Sequence, residues 1–160
     1  MSATWPAVFV LFLISLPCII EAGQTEDASI SELVAQLASD ELEVQRDAAY
    51  ELARRQNSTP EVIQALGVAT LASDTQVRFQ ALMTLARIGA PAHAVTPQLV
   101  QCLSDRDDQI RYRAGTALGC IGAAAVPALA EAWTEASNDA KLAIAQAAAR
   151  IGPDSQTLEA

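Results

Sequence analysis

The chain has 160 residues and a formal net charge of −9, with 19 acidic side chains against 10 basic ones. That balance excludes nucleic acid as a partner, because phosphate binding requires Lys and Arg to displace counterions, and no polybasic run is present to hold a lipid surface. Hydrophobic residues make up 51% of the chain but aromatics only 4%, so the core has to be built from Ala, Leu, Ile and Val, a mix that suits closely packed helices better than a sheet.

The first element in chain order is apolar. Ala7 to Leu16 carries no charge, and the run continues to Ile20, with Ala22 as the small residue before Gly23. Residues 1–22 therefore read as a signal peptide cleaved before Gly23, although the opening MSATW lacks Lys and Arg. The stretch from Trp5 to Ile20 is shorter than the ~20 residues of a spanning helix; an uncleaved membrane anchor is the alternative. The expected location is exported, periplasmic or secreted.

Residues 23–160 read as alternating helices. Ser29-x-x-Glu32 has the form of a capping box and opens an apolar-periodic stretch through Ile30, Leu33, Val34 and Leu37. After the polar turn Ser39-Asp40 comes a second stretch with Val44, Ala48 and Leu52 in its apolar slots. Asn57-Ser58-Thr59 has the form of a glycosylation sequon and reads as the turn into the next helix. Thr59-Pro60 and Thr96-Pro97 each set a capping hydroxyl before a first-turn proline. Gly89, Gly122 and Gly152 fall where a helix C-cap favours a left-handed glycine. The acidic run Asp105-Arg106-Asp107-Asp108 lacks the glycine and distant Glu of a calcium loop and reads as a helix cap, from Asp107 or Asp108.

These elements repeat. Val77-Arg78 through Ile88-Gly89 aligns without gaps to Ile110-Arg111 through Ile121-Gly122, 33 residues later. A third copy precedes them, and a fourth follows with Ala140, Ile144, Ala148 and Ile151. The units are approximately 28–57, 58–90, 91–123 and 124–153, each a helix A, a turn, a helix B and a loop. With the first apolar slot of helix B as position 0, positions 0, 4, 8 and 11 share an arc of about 80°. One helix pair cannot cover its own apolar faces, so neighbouring pairs must stack. The expected fold is all-α, an α-solenoid of about four helix pairs preceded by the signal peptide.

The pattern V/I-R-x-x-A-x-x-x-L-x-x-I-G, preceded by Val95-Thr-Pro97-Gln-Leu99 or Val126-Pro127-Ala-Leu129, resembles the HEAT-like repeats seen in phycobiliprotein lyase subunits. The resemblance spans roughly residues 28–153. It implies a solenoid whose B helices line the concave side. Some HEAT-like proteins bind a metal pair through repeated His-Glu dipeptides, and none occurs here.

Residues with catalytic potential are sparse. His93 is the one histidine, too few for a zinc site, which needs about four ligands, or for a triad independent of that residue. No catalytic residue, metal or cofactor is expected. Cys102 aligns with Leu37 and Leu71 as a core residue, whereas Cys120 aligns with Arg54, Arg87 and Arg150, about 120° from the core arc by helix geometry; two free thiols follow. Arg78 and Arg111 share position 1 and are expected to form a structural ladder with acidic groups or carbonyls of neighbouring turns.

Positions 2 and 6 of helix B lie roughly opposite the core arc. They hold Arg46, Tyr50, Phe79, Met83, Tyr112 and Thr116, an apolar strip of the kind that marks interaction surfaces. The expected function is an exported, non-catalytic scaffold that binds a protein or peptide in its concave groove, as a monomer or part of a complex. The alternative is a lyase-like or other enzyme accessory subunit acting on a partner protein.

Overall fold

The computed structural model describes residues 29–55 and 57–152. The expected signal segment, residues 1–22, lies outside them. Among the described residues every regular element is helical. In chain order these are α1 (Ile30–Leu37), α2 (Leu42–Arg55), α3 (Pro60–Ala69), α4 (Thr75–Ile88), α5 (Thr96–Gln101), α6 (Asp108–Ile121), α7 (Val126–Glu135) and α8 (Asn138–Ile151). Short 3-10 turns fill Ala90–Val95, Cys102–Ser104 and Gly122–Ala125.

The even helices are each 14 residues long and pack in succession, α2 on α4, α4 on α6 and α6 on α8. The odd helices form a second rank, α1 on α3, α3 on α5 and α5 on α7, and each touches the even helix that follows it. Between the ranks lies one continuous core. The slots read from the sequence fill it in the interior: Val77 and Ile110 at position 0, Ala81 and Ala114 at position 4, Leu85 and Leu118 at position 8 are fully buried. Full burial of each Leu stabilises by roughly 1.5–3 kcal/mol. Alanine at position 4 lets successive even helices approach closely.

The ends depart from this scheme. Ala148, in the fourth position-8 slot, is exposed, and Ala147 is buried instead. No helix follows α8 among the described residues to cover that side, so Ala148 and Trp133 line an open apolar groove. Leu71, expected in the core beside Leu37 and Cys102, is 49% exposed. α3 ends at Ala69, which leaves Leu71 in the turn. Thr70 is buried in its place, its hydroxyl donating to the Gly67 carbonyl at 2.7 Å. That bond satisfies the group and removes most of the cost of burying it.

The caps are partly those expected. Ser29 and Glu32 complete a capping box on α1. Asp74 accepts from the Gln76 and Val77 amides, Asp107 from Gln109, and Ser137 from Ala140. Thr59 and Thr96 do not cap. The Thr59 amide donates to Asn57 Oδ1, and the Thr59 hydroxyl caps nothing. Thr96 is already helical and donates its hydroxyl to the His93 carbonyl at 2.7 Å. Gly89 and Gly122 do have positive φ, 68° and 79°, but with ψ of −134° and −146°. Those values lie outside the left-handed helical region, in backbone territory essentially restricted to glycine. Each glycine turns the chain into the following 3-10 segment while its amide still closes the helix, on Leu85 and Leu118 respectively.

The stretch Asp108–Glu135 is long and apolar enough to cross a membrane. Gly122 divides it into α6 and α7, and α6 packs between α4 and α8.

Candidate functional site

The even helices present positions 2 and 6 on the side away from the odd rank, and that face is not uniform. Tyr50 and Tyr112 are 62% and 52% exposed, and Leu142, the position-2 residue of α8, is 62% exposed. Phe79 is partly buried against the core, and Met83 and Thr116 are half-buried. The strip expected to be continuous is thus divided. One groove of about 260 Å³ lies between α2 and α4, lined by Arg46, Asp47, Tyr50, Gln76 and Gln80. A second, of about 330 Å³, lies between α6 and α8 and includes Tyr112, Leu142, Gln146 and Arg150. Between them Arg113 reaches from α6 to α4 and covers Phe79, with its guanidinium 5.1 Å from the ring centre.

Two of the expected binding residues have their polar groups engaged within the fold. Arg46 donates to Asp74 through Nε and Nη2 at 3.2 and 2.7 Å, and to Glu43 at 2.9 Å. The Thr116 hydroxyl donates to the Tyr112 carbonyl at 3.0 Å.

Arg78 and Arg111 occupy equivalent places. Each guanidinium donates to two carbonyls of the turn before its helix: Arg78 to Ala72 and Ser73, Arg111 to Asp105 and Arg106. Arg78 also pairs with Asp105 of the next turn at 3.1 Å, although Nε makes no aligned hydrogen bond there. Arg111 pairs with Asp108 on its own helix. In the first unit Gln45, at the same position, donates to the Ser39 carbonyl. A shallow pocket of about 410 Å³ surrounds Arg78, Asp105 and Cys102 between the two turns. Within its lining Arg78 is bonded to Ala72, Ser73 and Asp105, and Cys102 to Thr70.

Cys102 is buried, donates to the Thr70 carbonyl at 3.4 Å, and has its thiol pKa raised by burial. Cys120 is exposed, and both thiols are free. His93 lies exposed in the 3-10 turn with Nδ1 against the Ala90 carbonyl at 3.2 Å. Among the described residues no group of three or more His, Cys, Asp and Glu is placed to hold a metal ion.

The sequence pattern did not single out Arg113 and Arg150, which flank Tyr112 at 5.8 and 4.8 Å from its ring centre. Arg113 at position 3 and Arg150 at position 10 lie between the core arc and the outward face, so they belong to neither set. The available signal was the shared position 2 of Phe79 and Tyr112, which brings both rings to the edge of the same helix interface.

No family profile and no curated protein matches the sequence. Solved structures do match. Two crystal structures of engineered proteins are similar to it, each with a TM-score of 0.55 and 24% identity over 76% of this chain. The match covers 62% of one of those proteins and 37% of the other, so this chain spans less than two thirds of either. At that identity the likeness is one of fold: an all-helical protein.

Proposed function

We propose that the chain is an exported α-solenoid of four HEAT-like helix pairs that binds a protein or peptide along its even-helix face and carries out no catalysis of its own. The observation that carries this reading is the exposure of Tyr50, Tyr112 and Leu142 on one face, beside grooves between successive even helices. Large apolar side chains left exposed together mark interaction surfaces, and tyrosine is a favoured anchor at them. The two-rank packing supports the solenoid, and the repeat motif supports its HEAT-like character. Export rests on the apolar segment before Gly23, and an N-terminus at Gly23 on the protein isolated from its source is the expected result.

The test uses the full chain as bait in its native extract, beside a Tyr50→Ser, Tyr112→Ser variant. Both positions are exposed, so thermal unfolding should change little, by no more than the loss of the arginine contacts to the Tyr112 ring, while the partner is lost. A variant that retains the partner at undiminished yield overturns the proposed face.

A further inference from the structure

We infer that the Tyr112 region of the even-helix face is a carboxylate-binding site, which takes an acidic peptide segment with apolar neighbours. The inference rests on the scaffold reading and names the class of partner.

Three observations converge on it. The first is an imbalance in how the arginines are used. Arg46, Arg54, Arg55, Arg78 and Arg111 each meet a carboxylate. Among the described residues Arg87, Arg106, Arg113 and Arg150 meet none, and of these four Arg113 and Arg150 are the two that stack on one ring, Tyr112. The second is preorganisation. Phe79, Arg113, Tyr112 and Arg150 form an alternating stack of rings and guanidinium groups running from α4 across α6 to α8, with separations of 5.1, 5.8 and 4.8 Å. Stacking fixes the plane of a guanidinium and leaves its edge for the charge-assisted bond that a carboxylate accepts; Arg150 spends one edge nitrogen, Nη1, on the Gln146 carbonyl at 3.2 Å and keeps the rest. The third is an unfilled hydrogen-bonding capacity: Arg113 Nε is buried and has no partner. A buried donor without an acceptor is unfavourable, and a carboxylate seated at this guanidinium would supply the missing acceptor.

The neighbouring groove supplies the apolar half. Tyr112 and Leu142 are exposed at its rim, and Arg150 reaches over Tyr112 from α8. Its one acidic residue, Asp108, is already paired with Arg111. A peptide lying across α6 and α8 would seat an apolar side chain on Tyr112 and Leu142 and bring the next carboxylate to Arg113 or Arg150. Glycines shape this arrangement. A Cβ on Gly115 would lie 3.2 Å from Arg150 Nη1, and one on Gly119 would lie 2.8 Å from Arg150 Cβ. Hydrogen at Gly119 is what lets the arginine cross to α6 at this distance, whereas a Cβ on Gly115 would ask only a small shift of the guanidinium end.

The test is a proton–nitrogen NMR titration of the full chain with a capped hexapeptide alternating leucine and glutamate, and with its glutamine counterpart. The expected result is saturable shifts at Tyr112, Leu142, Arg150 and the Arg113 side-chain Nε with the glutamate peptide. The glutamine peptide, and the Arg113→Gln chain, should each bind at least about tenfold more weakly, the loss of one charge-assisted contact. Arg150→Gln, at an exposed position, gives the same comparison should Arg113→Gln fail to fold. Equal binding of the two peptides overturns the carboxylate site while leaving the partner-binding face standing. No shift around Tyr112 with either peptide overturns the site, and so does a response there to inorganic phosphate that exceeds the response to the glutamate peptide.

Discussion

Arg46 of α2 holds Asp74 through two hydrogen bonds, at 3.2 and 2.7 Å, while Asp74 caps α4 by accepting from the Gln76 and Val77 amides. One carboxylate therefore joins α2 of the first unit to the start of α4 in the second. The Arg46 hydrogen bonds, helped by the two amides, hold the Asp74 carboxyl at about 2, below its ordinary 3.8. A depressed pKa in the folded state means that the unfolded chain takes up the proton first as pH falls. The stabilisation is complete above about pH 4 and disappears as pH drops towards 2. Asp74→Asn keeps a capping oxygen but loses the ion pair. It should cost roughly 1 kcal/mol at neutral pH, and the difference from the natural chain should shrink steadily below pH 4 in urea unfolding. A difference independent of pH would show that the pair adds nothing.

Gly67 sits inside α3, where alanine would ordinarily gain up to about 1 kcal/mol in helix propensity. Here a Cβ would fall 2.5 Å from Val95 Cγ1 and 2.9 Å from Val95 Cβ. Overpacking of that kind costs about 1–3 kcal/mol, and Val95 is fully buried and has no room to retreat. Gly67→Ala is therefore expected to destabilise. Adding Val95→Ala should recover part of the loss, as a non-additive double-mutant cycle measured by denaturant unfolding.

Cys102 and Cys120 should differ in reactivity. Cys120 is exposed, whereas Cys102 is buried with its thiol pKa pushed up by desolvation. Since the thiolate is the reactive form, native alkylation should modify Cys120 and spare Cys102 until denaturant is added. Mass spectrometry of the labelled chain reads this directly, and equal labelling of both under native conditions would contradict the packing of Cys102.

Much of this fold was legible because a 33-residue period fixes its own alignment. Once Val77 and Ile110 are superposed, the buried set at positions 0, 4 and 8 follows for the interior units. Legibility fell where a residue's fate depends on what lies beside it in space. Ala148 occupies a core slot by sequence yet is exposed, because no further helix covers α8 among the described residues. Thr59 and Thr96 look like caps until the geometry of the preceding turn is known. The candidate site behaved likewise. Tyr50 and Tyr112 could be placed on the outward face from their register. The pairing of Phe79 with Arg113, 34 residues later, depends on side chains crossing between helices, which helical periodicity does not encode.

Arg78 shows how one position is re-used with different side chains. Its guanidinium holds the Ala72 and Ser73 carbonyls at 2.9 Å each and pairs with Asp105 of the next turn. Gln45 makes the corresponding bond to Ser39 with a neutral amide. The carbonyl bond is thus the common requirement, and the link to the next turn is an addition that arginine alone can supply. Arg78→Ala leaves two carbonyls and a part-buried carboxylate without this partner, and is expected to cost about 2–3 kcal/mol. Arg78→Gln should retain a carbonyl bond and cost about 1 kcal/mol, the value of one hydrogen bond. Urea unfolding of the two variants separates these contributions. Equal losses would mean that the Asp105 pair, and not the turn carbonyls, accounts for the stabilisation.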